Sequence, residues 1–221
     1  MPSQNWLEFL FPPSCSVCGQ ASADLLCPPC KRTLPWLEPT DAAHHASGPL
    51  DGIIAPVKFT DPVRSWILAF KYPPPGLFGQ SASATGLVLW LARAGAERLT
   101  GATPDCITPV PSHPRRFQKR GFEPSYRLAL EMARHRDIKL EPRLLFRVRD
   151  TPAQTGLKSS QREANVKNAF ACRRRHLPHK ACIWLVDDVV TTGSTLRSAA
   201  RTLKQAGAEK VVGLCVARTG E

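Results

Sequence analysis

The chain has 221 residues, 43% of them apolar and 22% charged, which is the make-up of a packed protein with room for one full domain and a small appendage. Thirty Lys and Arg against 18 Asp and Glu give a net charge of +12 and a pI near 9.7. That balance excludes a surface suited to basic partners and favours nucleic acid or a highly phosphorylated ligand. The most apolar run, residues 87–92, is far shorter than the roughly 20 residues of a membrane-spanning helix. Residues 1–11 lack the basic start and small-residue cleavage site of a signal peptide. A cytoplasmic chain, not inserted in a membrane, is expected. In that reducing compartment, closely spaced cysteines read as metal ligands rather than disulfides.

Residues 12–49 are dense in Cys, Pro and His and have no long apolar periodicity. So short a segment cannot bury a core of its own and needs a staple. Cys15-x2-Cys18 and Cys27-x2-Cys30 supply one: four thiolates suit a closed, tetrahedral and therefore structural Zn²⁺ site. His44 and His45 are expected to be exposed loop residues. Cys106, Cys172, Cys182 and Cys215 are scattered, and the three in apolar strands, Cys106, Cys182 and Cys215, read as small core residues. The expected division is a zinc module over residues 1–48 and a larger domain over 49–221.

Beyond the module, Ile53 to Phe59 reads as a strand. Asp61 to Lys71 reads as a helix with Asp61 as N-cap and Pro62 at its first position, broken by Tyr72-Pro-Pro-Pro-Gly76. A helix from Ala82 to Arg98 follows, then a buried strand from Asp105 to Val110 ending in Pro111. Pro124 to Arg134 reads as helix, Arg143 to Arg149 as strand and residues 157–164 as a polar loop. Ala181 to Val186 is a continuous apolar run of the kind that forms a central parallel strand. Ser194 to Gln205 is a helix closed by Gly207, and Lys210 to Val216 is the next strand. Such alternation predicts an α/β fold, a parallel sheet flanked by helices.

The strongest chemistry lies at Trp184-Leu-Val-Asp-Asp-Val-Val-Thr-Thr-Gly-Ser-Thr-Leu196. A buried strand delivers Asp187 and Asp188 at its C-terminal end, where α/β sheets bind ligands. The chain then turns through Thr191, Thr192 and Gly193 into a helix that opens with Ser194 and Thr195. Backbone N–H groups at such a helix start suit a phosphate dianion, and the hydroxyls can add donors. The aspartates can accept from ribose hydroxyls and help hold a Mg²⁺. A Walker lysine and a GxGxxG are both absent, so neither a P-loop NTPase nor a dinucleotide site fits.

Val186 to Leu196 resembles the signature with which type I phosphoribosyltransferases bind phosphoribosyl pyrophosphate (PRPP). The whole chain resembles the ComF/GntX family, the amidophosphoribosyltransferase-like proteins associated with natural competence. The cysteine quartet is similar to that family's zinc ribbon. Val110-Pro111 through Arg116, Arg120, Gly121 and Phe122 resembles its loop-and-helix motif. Thr151, Gln154, Leu157, Arg162, Asn165, Val166, Ala169 and Phe170 match a third stretch. Glu123-Pro124 stands where the family usually has Asn-Gln, and Ser112 where it often has Pro.

The resemblance implies a type I phosphoribosyltransferase-like fold with a small N-terminal zinc ribbon. Thr191 to Thr195 would hold the ribose phosphate, and Asp187 and Asp188 the ribose and Mg²⁺-borne PRPP. The loop from Pro111 to Arg120 would serve pyrophosphate or DNA phosphates through Arg116 and Arg120, joined by Lys71. Gln154, Lys158 and Arg162 would reach in from a mobile loop. Two functions follow. One is a competence-type DNA-uptake factor that binds single-stranded DNA and works with DNA-uptake or helicase machinery. The other is an active PRPP-dependent transferase acting on a nitrogen acceptor. Phe117, flanked by Arg and Lys, is the best placed aromatic for stacking on bases.

Overall fold

The computed structural model describes residues 13–38, 43–44, 48–73, 78–98, 103–149 and 169–220. Their strands are β1 Ala43–His44, β2 Gly52–Ile54, β3 Val57–Lys58, β4 Cys106–Pro109, β5 Leu145–Arg147, β6 Phe170–Cys172, β7 Cys182–Val186, β8 Val189–Val190, β9 Lys210–Leu214 and β10 Ala217–Arg218. The helices are α1 Pro28–Arg32, α2 Val63–Lys71, α3 Phe78–Glu97, α4 Pro114–Arg120, α5 Pro124–Arg136 and α6 Ser194–Ala206. Five strands make the main sheet in the order β1-β2-β9-β7-β4. All its pairs are parallel except β1 with β2.

The central strand β7 shows why an unbroken apolar run belongs there. Trp184 and Val186 join a core with α2, α3 and α5 on one face. Ile183 and Leu185 alternate to the other face, against Leu196, Ala199, Ala200 and Leu203 of α6 and Phe170 of the β5–β6 hairpin. With helices on one side and α6 plus the hairpin on the other, both faces are dry.

Three strands give out side by side, two of them where the sequence reads as continuous. Ile53 to Phe59 divides at Ala55-Pro56, and Lys210 to Val216 at Cys215-Val216. The chain after β7 divides at Asp187-Asp188. The continuations β3, β10 and β8 form a second parallel sheet in the order β3-β10-β8, repeating the order β2-β9-β7. Pro56 has no N–H for a ladder, while its carbonyl accepts from Leu37 N at 2.9 Å. The result is a seam across the sheet. It is stitched by Asp187 N to Leu214 O at 2.9 Å, Cys215 N to Ile54 O at 2.9 Å and Val216 N to Asp188 O at 2.9 Å.

Two helix starts differ from expectation. α2 begins at Val63 with Pro62 as its N-cap; Asp61 spends its carboxylate on the Ser65 hydroxyl at 2.6 Å instead of on a backbone N–H. Residues 114–120, expected as part of a loop, are the short helix α4. Pro114 opens it, and Gly121 closes it in the left-handed conformation at φ 75°. The other expected helices and strands lie where the periodicity puts them. His44 lies in β1 rather than a loop, and His45 and the polar stretch 157–164 lie outside the described residues.

The N-terminal module is packed onto the domain. Cys15, Leu26, Cys27 and Leu34 are buried in the same core as α2 and α3. Trp36 meets Trp90 of α3 edge to face at 5.9 Å. Arg98 donates to Leu37 O at 2.7 Å and stacks on Trp36 at 5.0 Å. No helix among the described residues is long and apolar enough to cross a membrane.

Candidate functional site

At the seam, β7 ends and two carboxylates are turned out of the sheet. Each side chain accepts from the backbone N–H of the residue that follows it: Asp188 N donates to Asp187 Oδ1 at 3.0 Å, and Val189 N to Asp188 Oδ1 at 2.6 Å. Ser125, buried in the first turn of α5, donates to Asp187 Oδ1 at 3.1 Å. The Lys71 ammonium lies 2.8 Å from Asp188 Oδ2, with both side chains mostly shielded from solvent.

Burial, and then the adjacent Asp188 charge, push the Asp187 carboxyl up to about 7, against the pull of Lys71 and the donors from Asp188 N and Ser125. An unfolded aspartate releases its proton near 3.8, so between about pH 4 and 7 the folded chain holds a proton that the unfolded one has lost. Stability contributed by this group therefore falls as pH rises through that window. Asp187→Asn, uncharged throughout, is expected to melt about 2–6 °C above wild type at pH 8, with the gap narrowing toward pH 4. Differential scanning fluorimetry across that range reads it, and a gap independent of pH would contradict it.

The threonine-rich turn follows β8. Gly193 takes φ 71° and caps α6. A Cβ there would lie 3.1 Å from Arg197 Nη1 and 3.3 Å from Ile53 Cδ1, a tight fit against two side-chain tips, and it is the backbone conformation that calls for glycine. Thr192 Oγ1 donates to Ser194 Oγ at 3.2 Å. Thr191 is exposed, Thr192 and Thr195 are half-buried, and Ser194 is buried. The turn thus presents hydroxyls and the N-terminus of a 13-residue helix beside the aspartates, an arrangement suited to an anion.

Arg120 reaches across to Tyr72, donating to its hydroxyl at 2.6 Å and lying 4.7 Å over its ring. Arg116 lies on α4. Gln154, Lys158 and Arg162 lie outside the described residues. The two departures from the family motif meet each other: Ser112 N donates to Glu123 Oε2 at 3.0 Å, and its hydroxyl donates to Oε1. Proline at 112 would carry neither donor. Burial raises the Glu123 carboxyl, in spite of those donors and of Arg120.

Sequence reasoning missed Ser125, the Tyr72–Arg120 contact and the Ser112–Glu123 clasp. Ser125 had a signal. It stands at the head of the buried stripe Ser125, Leu128, Ala129, Met132, a polar residue in an apolar helical pattern.

At the other end, the Sγ atoms of Cys15, Cys18, Cys27 and Cys30 all lie within 4.8 Å of one another, a spacing that tetrahedral Zn–S bonds of about 2.3 Å can close. Backbone N–H groups of Cys18 and then Cys27 donate to the Cys15 sulfur and lower its pKa to about 6. The Cys30 thiol is pushed up to about 12, first by its hydrogen bond with the Cys27 sulfur, so without metal the quartet shares protons among its sulfurs; the donor set and its spacing fit structural zinc. By contrast the Cys106 thiol is buried and pushed up to about 12, chiefly by burial, as a core residue should be.

A model of the phosphoribosyl transferase domain matches residues 118–220, and a double zinc ribbon domain matches residues 6–41. Only four cysteines and no histidine fall in the latter span, enough ligands for a single ion. The chain is 35% identical to the DNA utilization protein YhgH of Escherichia coli K12, covering 93% of this chain and 90% of that one. It is 32% identical to YhgH of Salmonella typhimurium, again over 93% and 90%. Competence protein F of Haemophilus influenzae is 35% identical over 56% of this chain and 55% of its own. Among solved structures, glutamine PRPP amidotransferase from B. subtilis overlays with a TM-score of 0.46 at 20% identity, over 67% of this chain and 30% of that one. The kinship with the two YhgH proteins over 93% of the chain and the two domain matches show that the chain belongs to the ComF/GntX family, with a zinc ribbon ahead of a phosphoribosyltransferase-type domain.

Proposed function

We propose that the protein is a competence-type DNA-uptake factor whose phosphoribosyltransferase-type domain grips single-stranded DNA by its phosphoribosyl units. The observation that carries this reading is the company the aspartate seam keeps. Lys71 sits on Asp188, and Arg120 is laid against Tyr72, a residue 56% exposed. Cations interleaved with exposed rings are what a sequence-tolerant single-strand site requires. The +12 charge adds long-range attraction. The names of the relatives, DNA utilization protein and competence protein, support the same process. In this reading Thr191 to Thr195 take a phosphate and Asp187 and Asp188 the sugar. Arg116 and Arg120 take neighbouring phosphates, and Gln154, Lys158 and Arg162 close over the strand. The chain would work in the cytoplasm beside DNA-uptake machinery.

A second reading is favoured by the pairing of two carboxylates with an open helix N-terminus at a strand end. It is a PRPP-dependent transferase acting on a nitrogen acceptor. Asp187 and Asp188 offer the hard oxygen donors that a Mg²⁺ accompanying pyrophosphate takes, and Arg116 and Arg120 would stabilise the departing pyrophosphate.

Fluorescence anisotropy with a labelled oligothymidylate tests the first reading. Arg116→Ala with Arg120→Ala is expected to weaken binding about tenfold or more and to lower the salt slope by about 1.4, from two lost phosphate contacts. Unchanged affinity and slope would sink it.

A further inference from the structure

A cleft of about 450 Å³ opens beside the seam, between the end of β4 and the start of α5. Phe117, Phe122 and Tyr126 wall it, prolines such as Pro111 and Pro142 line it, and Arg127 stands at its edge. We infer that this cleft receives one unstacked base of single-stranded DNA, an inference that rests on the DNA reading above.

The apolar walls explain why something flat belongs there. Phe117 is 49% exposed and Tyr126 37% exposed, yet they stand on different helices, α4 and α5, and both line one cleft. Exposed rings converging on one groove are a binding feature, unlike apolar side chains scattered singly over a surface. Bases of any identity can stack on such rings.

The edge explains why the occupant carries phosphate. Arg127 lies 5.8 Å over Phe70 and 5.7 Å over Phe122, so its guanidinium is held in place at the rim. Glu123 is the one acid of the lining, and both its oxygens already accept from Ser112. The rim therefore offers a positioned cation and an acid that is already partnered. That polarity suits an anionic strand and disfavours a basic peptide.

The first turn of α5 ties the cleft to the sugar site. Ser125 donates to Asp187, while the next two residues, Tyr126 and Arg127, line the cleft. Successive helical residues rise only 1.5 Å each. A sugar at the aspartates and a base in the cleft are therefore within the reach of one strand. The Ser112–Glu123 clasp joins the chain after β4 to the head of α5 and so fixes the spacing of the walls.

The test uses oligothymidylates carrying a single 2-aminopurine or, at the same position, an abasic site. The full-length wild-type protein is expected to quench 2-aminopurine emission on binding and to bind the abasic strand about tenfold more weakly. Phe117→Ala with Tyr126→Ala should abolish the quench and the preference while leaving the melting temperature within about 2 °C. Phe117→Trp in the Tyr126→Ala background should restore both. Binding without quench, equal for both strands and unaltered by the alanine pair, would overturn the base cleft and leave the DNA reading intact. No binding of any strand would overturn the DNA reading and this inference together.

Discussion

Cys27→Ser is expected to remove the zinc and to lower the melting temperature by about 6–20 °C. The ribbon cannot hold itself together by burial. Among its described residues, 13–38, the buried apolar side chains are Cys15, Leu26, Cys27, Leu34 and Leu37, and two of these five are metal ligands. Structural zinc contributes an apparent 10–16 kcal/mol to such modules. Its loss reaches the main domain because Leu26 and Leu34 share a core with α3, and Trp36 and Arg98 clamp the junction. Losing about 3–5 kcal/mol of that packing moves the transition of a chain this size by about 2–4 °C per kcal/mol. Elemental analysis should find one zinc per wild-type chain and none in the variant. A metal-free wild-type protein that melts as before would contradict the account.

Gly193→Val is expected to weaken every phosphate-bearing ligand by about a hundredfold with the fold retained. The residue sits at φ 71°, where a β-branched side chain is strained by about 1–3 kcal/mol. Its Cβ would press on Ile53 Cδ1 at 3.3 Å and Arg197 Nη1 at 3.1 Å. Both atoms are side-chain tips that can give by a few tenths of an ångström, so it is chiefly the backbone strain that opens the turn and swings its N–H groups away from the anion. The core under α6 (Leu196, Ala199, Ala200 and Leu203) is untouched, so far-ultraviolet circular dichroism should be unchanged.

Local signals carried much of this structure. The strand–aspartate–turn–helix run from Trp184 to Leu196 and the two CxxC pairs could be read because each is contiguous or nearly so. The helix α4 had its signals as well, Pro114 at its first position and Gly121 after its last, within a run rich in arginine and lysine. What could not be read depends on partners remote in sequence. The seam arises because three strands break side by side, and only their mutual hydrogen bonds reveal it. Tyr72 and Arg120 are 48 residues apart, and Ser125 meets Asp187 across 62. Ser112 and Glu123 each stood out as a departure from the family motif, but nothing in one sequence says that they bond to each other. The aromatic cleft likewise exists only because α4 and α5 fold against the end of β4.

The most direct test of the central claim is a titration of one purified sample with labelled single-stranded DNA, with Mg²⁺–PRPP added as competitor. The wild type, Asp187→Ala/Asp188→Ala and Gly193→Val proteins would be run in parallel. The account predicts salt-dependent DNA binding by the wild type, displaced by Mg²⁺–PRPP and weakened in both variants. Tight Mg²⁺–PRPP binding through the aspartates, with DNA bound weakly and equally by all three proteins, would contradict it and establish the transferase reading in its place.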